Sequence, residues 1–134
     1  MELEKFKKWI PIKDIPGTLV LFGLLDNYEG FRILLRDEKT HDVLRILFDS
    51  FFAYRNTDAG YLSSTKHERK KFVKWPLFIV KNSRFLQRLH EENPNKQLNV
   101  EPIHYAIVAS NHCIDVISCS LPKVKWMSDY SDEI

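Results

Sequence analysis

Side chains that could together carry out nucleophilic catalysis occur within one short stretch of the chain. Cys113 or Cys119 could supply a thiolate, and His104 could accept the thiol proton. Asp115 could then orient the histidine. This chemistry requires hydrogen-bond contact from nucleophile to base and from base to orienting group. Whether these residues form a site therefore depends on how the strands that carry them pair.

The stretch 103–118 predicts a β-hairpin, because two runs of alternating apolar residues flank a short polar turn. With a two-residue turn at 111–112, Asp115 lies opposite Val108; a longer loop is the alternative. That pairing separates Asp115 from His104 by about 13 Å along the strand, too far for a base and its orienting group. We therefore expect His104 to be a structural histidine, and we expect no catalytic residue.

Patterns that hold cofactors or metals do not occur in the sequence. The glycines are isolated, whereas phosphate-binding loops cluster them, and no residues have the spacing of CxxC or HExxH sites. The two cysteines would lie roughly 20 Å apart on a straight strand, too far for a disulfide. This usage is typical of a reducing compartment. We expect no cofactor and no metal.

The composition is that of one folded domain in the cytoplasm. The chain has 134 residues, 44% of them hydrophobic, and a formal net charge of +2. This small charge does not indicate a nucleic-acid or membrane partner. The charged N-terminal residues lack the apolar core of a signal peptide, and no apolar run approaches the roughly 20 residues of a membrane span.

Charges embedded in apolar strands are the most specific polar candidates. Asp49 and Arg55 share one face of a predicted strand at 43–55, and Asp115 interrupts the central hairpin. One interpretation places these residues at sheet ends or in a buried ion pair with hydrogen bonds. The other is a polar patch on the sheet surface that receives side chains of a partner.

The segment Lys66–Trp75 is the one basic run of the sequence, and it includes Lys70 and Lys71 beside Trp75. Mixtures of basic and aromatic residues can bind phosphates and stack on bases. A solvated helix face is the alternative. Exposure of Trp75 would favour the binding interpretation.

The order of predicted elements favours an α+β fold, a single domain over 1–134 with a mostly antiparallel β-sheet and two or three short helices. Strands are predicted at 18–25, 31–36, 43–55 (with a helix as the alternative), 75–80 and in the hairpin, and helices at 64–71 and 82–92. Residues 1–16 form a lead-in segment, and 128–134 an acidic, frayed tail. Both faces of the hairpin are mostly apolar, so helices, a curved sheet or a second copy of the chain must cover them.

Three phrases carry a resemblance to a known class of proteins. They are FDSFFAYRNTDAG at 48–60, WPLFIVKNSRFLQRLHEEN at 75–93 and IHYAIVASNHCIDVIS at 103–118. Together they resemble small bacterial proteins encoded beside polymorphic-toxin genes and interpreted as immunity proteins. The resemblance implies a cytoplasmic binding protein and carries no functional residues to transfer.

Two hypotheses about function follow. The first is a non-enzymatic protein-binding domain, with a toxin as one such partner; an exposed patch of aromatic and charged residues would favour it. The second is a nucleic-acid-associated domain that uses Lys66–Trp75. A small-ligand enzyme is a third interpretation, which a deep pocket containing His104 and Asp49 would revive. Self-association into a homo-oligomer is also expected from the two apolar faces of the hairpin.

Overall fold

The computed structural model of the chain describes residues 3–61, 74–96 and 98–127. Within these ranges the chain forms nine β-strands, one α-helix and a short 3₁₀ helix. In chain order the elements are β1 (Lys5–Lys8), β2 (Val20–Asn27), β3 (Gly30–Arg36), β4 (Val43–Phe48), β5 (Ala53–Asp58), the 3₁₀ helix (Ala59–Tyr61), β6 (Leu77–Lys81), α1 (Arg84–Glu92), β7 (Ile103–Val108), β8 (His112–Ser118) and β9 (Lys123–Met127).

The strands form two antiparallel sheets. The first sheet has the order β1-β6-β7-β8-β5, and the second has the order β2-β3-β4-β9. The prediction of a mostly antiparallel α+β fold is thus confirmed, but the described residues contain one α-helix where two or three short helices were expected. The second predicted helix, at 64–71, lies outside the described residues, as do most of Lys66–Trp75 and all of the predicted tail at 128–134.

The main core lies between the inner faces of the two sheets. Tyr105 of β7 contacts Phe48 of β4 across the interface, with ring centroids 5.3 Å apart. Burial of such side chains is the principal favourable term in folding. The buried members of this core are Leu19, Phe31, Ile33, Leu35, Leu44, Ile46, Phe48, Leu77, Tyr105, Ile107, Ala109, Ile114 and Val116.

The central hairpin pairs in a register different from the predicted one. The Ala109 amide donates to the His112 carbonyl at 2.9 Å, so the turn residues are 110–111 rather than 111–112. As a result Asp115 lies opposite Ala106 instead of Val108. Moving the turn by one residue shifts the pairing by two, which leaves every side chain on its predicted face because the side-chain period of a strand is also two.

The predicted long strand at 43–55 is two strands in different sheets. β4 belongs to the second sheet and β5 to the first, so residues 49–52 cross from one sheet to the other. Phe51 and Tyr54 pack on Phe31 after the crossing, with ring centroids at 5.1 Å and 4.3 Å. The crossing lets apolar residues on both sides of Asp49 reach the same core. Asp49 and Arg55 therefore do not share a strand face, and that prediction was wrong.

Helix α1 lies on the outer face of the first sheet. Ser83 caps its N-terminus, accepting a hydrogen bond from the Leu86 amide at 3.0 Å; the sequence allowed either Asn82 or Ser83 in this role. The Phe85 ring meets the His104 ring edge-on, with centroids 5.8 Å apart. The second sheet covers the inner face of the central hairpin, and this helix covers part of its outer face. To that extent a second copy of the chain is not needed to cover them.

Candidate functional site

A chain of hydrogen bonds links four polar side chains on the outer face of the first sheet. Arg55 Nε donates to Asp115 Oδ2 at 3.0 Å, and His104 Nε2 lies 2.7 Å from Asp115 Oδ1. His104 Nδ1 lies 2.7 Å from Ser83 Oγ. The side chains of His104 and Asp115 are 1% and 3% exposed, whereas that of Arg55 is 48% exposed. The polar chain thus runs from the helix cap through the protein to the surface.

The strand register assembles this chain. Arg55 of β5 lies directly opposite Asp115 of β8, and Ala106 of β7 lies on the other side of Asp115. His104 is two residues from Ala106 and therefore shares its face. In the predicted register the same histidine would lie out of reach of Asp115. Ser83 lies in the loop between β6 and α1, which places its hydroxyl beside His104.

The polar chain has the atom order of an acyl-transfer triad. An ionised carboxylate only accepts, so His104 Nε2 donates to Asp115, and in the neutral ring Nδ1 accepts the Ser83 hydroxyl proton. The Ser83 hydroxyl is nevertheless already engaged. Ser83 is 8% exposed, and its Oγ already accepts from the Leu86 amide.

The position that an oxyanion would take beside Ser83 is also occupied. The Arg84 amide, at the start of α1, donates to Glu4 Oε2 at 2.9 Å. Acyl transfer needs free donors at the place where negative charge develops. A serine whose oxygen caps the helix and whose neighbouring amide binds a carboxylate is arranged to hold α1 on the sheet.

Cys113 joins this chain, but Cys119 does not. Cys113 is buried, and its thiol lies 3.9 Å from Asp115 Oδ2. Cys119 is exposed, with its thiol 3.3 Å from the Val100 carbonyl oxygen. The sequence therefore failed to predict that His104, Asp115 and Cys113 come together, because the turn was misplaced by one residue.

A cavity of about 870 Å³ lies beside α1, the end of β6 and the start of β7. Its lining includes Ser83 and His104, but Asp49 is not part of the lining. Asp49 is exposed in the crossing between the sheets. This cavity is therefore not the pocket containing both His104 and Asp49 that would have favoured an enzyme interpretation.

A groove of about 220 Å³, lined by both apolar and polar side chains, lies on the other flank of α1, between the helix and the ends of β5, β7 and β8. Phe52, 45% exposed, and Leu98, 37% exposed, stand at its rim. Lys96 Nζ lies 5.5 Å from the centroid of the Phe52 ring, within reach of a cation–π interaction. The remaining lining residues are Leu86, Leu89, His90, Asn93, Pro102 and Ile117.

The predicted partner-binding residues separate into different places. Arg55 and Asp115 are brought together as an ion pair. Trp75 is half-buried, and its indole N–H donates to the Trp9 carbonyl at 3.2 Å. Lys70 and Lys71 lie outside the described residues.

The outer face of the second sheet carries a group of cations that the sequence analysis did not assemble. Arg45 of β4 lies directly opposite Lys125 of β9. Arg32 and Lys123 both lie opposite Leu47, one on each side. The alternation of Arg32 and Arg36 along β3 was a visible signal, but only the strand order places Arg45 and the lysines beside them. We call this surface the basic face; its cations are Arg32, Arg36, Arg45, Lys123 and Lys125.

Two further properties of the described residues bear on ligands. No three histidine, cysteine, aspartate or glutamate side chains in these ranges are grouped so that they could hold a metal ion. Within the same ranges, no helix has both the length and the apolar character needed to cross a bilayer. Compared with known proteins, the chain matches no protein-family model, no curated protein and no solved structure.

Proposed function

We propose that this protein is a non-enzymatic protein-binding domain whose partner binds at the groove between α1 and the ends of β5, β7 and β8. The observation that carries the proposal is the pairing of an exposed aromatic ring, Phe52, with Lys96 at the rim of a groove that combines apolar and polar side chains. Exposed aromatic side chains beside apolar pockets are typical of protein interfaces.

The buried polar chain supports the same proposal, because it fixes the walls of the groove. Ser83 and His104 hold the N-terminus of α1, and Leu86 and Leu89 of that helix line the groove. Ile117, on the opposite wall, is two residues from Asp115 on the same strand face. A groove with rigid walls loses little conformational entropy on binding.

The alternative of a nucleic-acid-associated domain using Lys66–Trp75 gains no observation in its favour from the described residues. Trp75, whose exposure would favour it, is half-buried and engaged by Trp9 and by Lys8, whose Nζ is 5.4 Å from its ring centroid. We therefore retain protein binding as the proposed function.

The test is affinity capture from the native cell with the full chain and two matched variants. Phe52→Glu places a charge in the groove, whereas Tyr28→Glu makes the same change at a 95% exposed aromatic residue on the turn between β2 and β3. Loss of a central aromatic contact typically costs at least about 2 kcal/mol, or roughly thirtyfold in affinity. We expect one stoichiometric protein to be retained at high salt by the wild type and by Tyr28→Glu, and lost with Phe52→Glu. Retention by both variants, or recovery of nucleic acid alone, would refute the proposal.

The resemblance to immunity proteins makes a bacterial toxin the most specific form of this partner. In that case a toxin gene should lie beside the gene for this chain. Co-expression of the wild type should restore growth of cells that make the toxin, and Phe52→Glu should not. Protection by a variant that cannot bind would contradict neutralisation through the groove.

A further inference from the structure

The basic face concentrates like charges where the fold does not require them. Every strand position on the outer face of β2, β3, β4 and β9 is basic, apolar or uncharged; none is acidic. Arg45 and Lys125 are directly opposite each other, an arrangement that destabilises a sheet. For a chain whose formal net charge is only +2, this is a strong local excess of positive charge.

A solvated, solubilising surface does not account for this arrangement. Solubilising surfaces intersperse both signs of charge. The arginines also occupy the two interior strands of the sheet, β3 and β4, and Arg32 is only 7% exposed. A guanidinium group this buried, and already paired with Glu29, neither improves solubility nor is available to a partner, so the cations that a partner would meet are Arg36, Arg45, Lys123 and Lys125.

Two of these guanidinium groups, those of Arg32 and Arg36, are held in place before any partner arrives. Arg32 donates to Asn27 Oδ1 at 3.0 Å and pairs with Glu29 Oε2 at 3.3 Å. The Phe22 ring lies 5.7 Å from the Arg36 guanidinium carbon, and Arg36 also contacts His41 Nδ1. Fixed guanidinium forks match carboxylates in a planar, bidentate geometry and lose little entropy on binding them.

Apolar side chains lie between the cations. Leu25, Leu47 and Met127 are half-buried and share the basic face. A sugar-phosphate backbone offers little apolar surface to such residues, whereas an acidic protein segment offers carboxylates and aliphatic side chains together. The chemistry of the face therefore fits protein better than nucleic acid.

We propose that the basic face binds an acidic segment of a partner protein that presents carboxylates and aliphatic side chains on the same side. This surface lies on the second sheet, whereas the groove lies on the first, so the inference goes beyond the proposed function and does not depend on it. Attraction to several cations should make binding weaker as salt rises, because exposed charges are screened. The apolar contacts should contribute a part of the affinity that persists at high salt.

The experiment measures fluorescence anisotropy of a labelled peptide of about eight residues, in which pairs of glutamates alternate with pairs of leucines so that each face carries both, and which spans roughly 26 Å when extended. The full chain is titrated at about 50 mM and about 300 mM NaCl, where the screening length differs by more than twofold. We expect saturable binding that weakens with salt. A peptide with glutamine in place of glutamate should bind much more weakly.

Matched double variants locate the site. Lys123→Glu with Lys125→Glu reverses two exposed charges of the basic face, and Lys5→Glu with Lys7→Glu makes the same change in net charge on β1. The first pair should weaken peptide binding by about tenfold or more, and the second by less than about twofold. Both variants are expected to fold, because all four lysines are exposed; far-UV circular dichroism checks this. Arg36→Gln, which removes one charge without reversing it, should weaken binding by a smaller factor.

Three results would overturn the inference. Equal weakening by both double variants would mean that the peptide responds only to net charge. Tighter binding of a single-stranded oligonucleotide of the same charge, lost with the Lys123 and Lys125 variant, would make the face a phosphate-binding surface. Absence of peptide binding at about 50 mM salt would mean that the face binds no acidic segment.

Discussion

The side-chain amide of Asn111 hydrogen-bonds both backbone groups of Leu21. Asn111 Oδ1 accepts from the Leu21 amide at 2.9 Å, and Nδ2 donates to the Leu21 carbonyl at 3.3 Å. The neighbouring Ser110 amide donates to the Leu19 carbonyl at 2.9 Å. The turn between β7 and β8 thereby acts as a short strand partner for β2 and ties the first sheet to the second.

This role of Asn111 predicts a result that its turn position alone would not. Positive φ at a non-glycine residue of the described chain occurs only at Asp14, His41, Lys74 and Asn82. Asn111→Gly should therefore destabilise the protein as Asn111→Ala does, by about 1–2 kcal/mol for two lost hydrogen bonds. Urea denaturation of both variants measures the free energy of unfolding. A neutral or stabilising Asn111→Gly would show that backbone conformation, not the amide, is what this position needs.

The buried polar chain predicts unequal effects for two histidines of the same hairpin. His104→Ala leaves Asp115 buried without its shortest hydrogen bond, which should lower the free energy of unfolding by about 3 kcal/mol. His112 is half-buried and lies 3.0 Å from Asn56 Oδ1, so His112→Ala should cost less than about 1 kcal/mol. Chemical denaturation of the two variants measures both changes in the free energy of unfolding. Equal costs would mean that the polar chain contributes no special stability.

Ser83 predicts a negative result with a chemical probe. A fluorophosphonate that labels activated serines should not react with the folded protein, because Ser83 Oγ is buried and accepts from the Leu86 amide. Mass spectrometry of the treated chain is the measurement. Labelling of the wild type that disappears in Ser83→Ala would instead identify a nucleophile and would contradict the non-enzymatic proposal.

Tyr105 predicts a loss of stability in alkaline solution. Burial raises the pKa of the Tyr105 phenol above its ordinary value of 10.0, and negative charge on Cys119 adds to the effect. Below pH 10 the phenol is protonated in both folded and unfolded chains, so its contribution is fully present. As pH rises above 10 the unfolded chain releases the proton first, and stability falls through the window up to the raised pKa.

Tyr105→Phe isolates this contribution. The free energy of unfolding is measured against pH for wild type and variant, and their difference is compared with its value at pH 8. The decline above pH 10 should be shallower in the variant by up to about 1.4 kcal/mol per pH unit, the value for one proton. Parallel curves would show that burial of Tyr105 does not oppose its ionisation.

The sequence predicted local features well, because they depend on neighbouring residues. The sequence places a helix cap at Asn82 or Ser83, before an amphipathic run, and the cap is Ser83. Gly23 within its apolar run predicts a bulge or a close approach of the backbone, and the pairing of β2 with β3 shifts register between Leu21 and Gly23. The two faces of the central hairpin were also predicted correctly. Alternation of side chains along a strand assigns each residue to a face in either register. The predicted faces of the hairpin are therefore correct although the predicted turn is displaced by one residue.

What the sequence could not predict depends on pairing between distant segments. Moving the turn by one residue brought His104 to Asp115, and no local pattern distinguishes the two turns. Ser83 reaches the same histidine only because α1 folds back across β7. The basic face likewise needs β9 beside β4, a choice made by core packing of Val124 and Trp126.

The distribution of lysines on the outermost strands has a consequence for aggregation. Unpaired backbone groups at a sheet edge invite pairing with other chains, and charged side chains oppose it. Lys5, Lys7 and Lys8 occupy β1, at one edge of the first sheet, while Asn111 takes up the free backbone groups of Leu21 at the edge of the second. About half of the described residues lie in β-strands, so replacing these lysines with valine should increase the tendency of the protein to form fibrils.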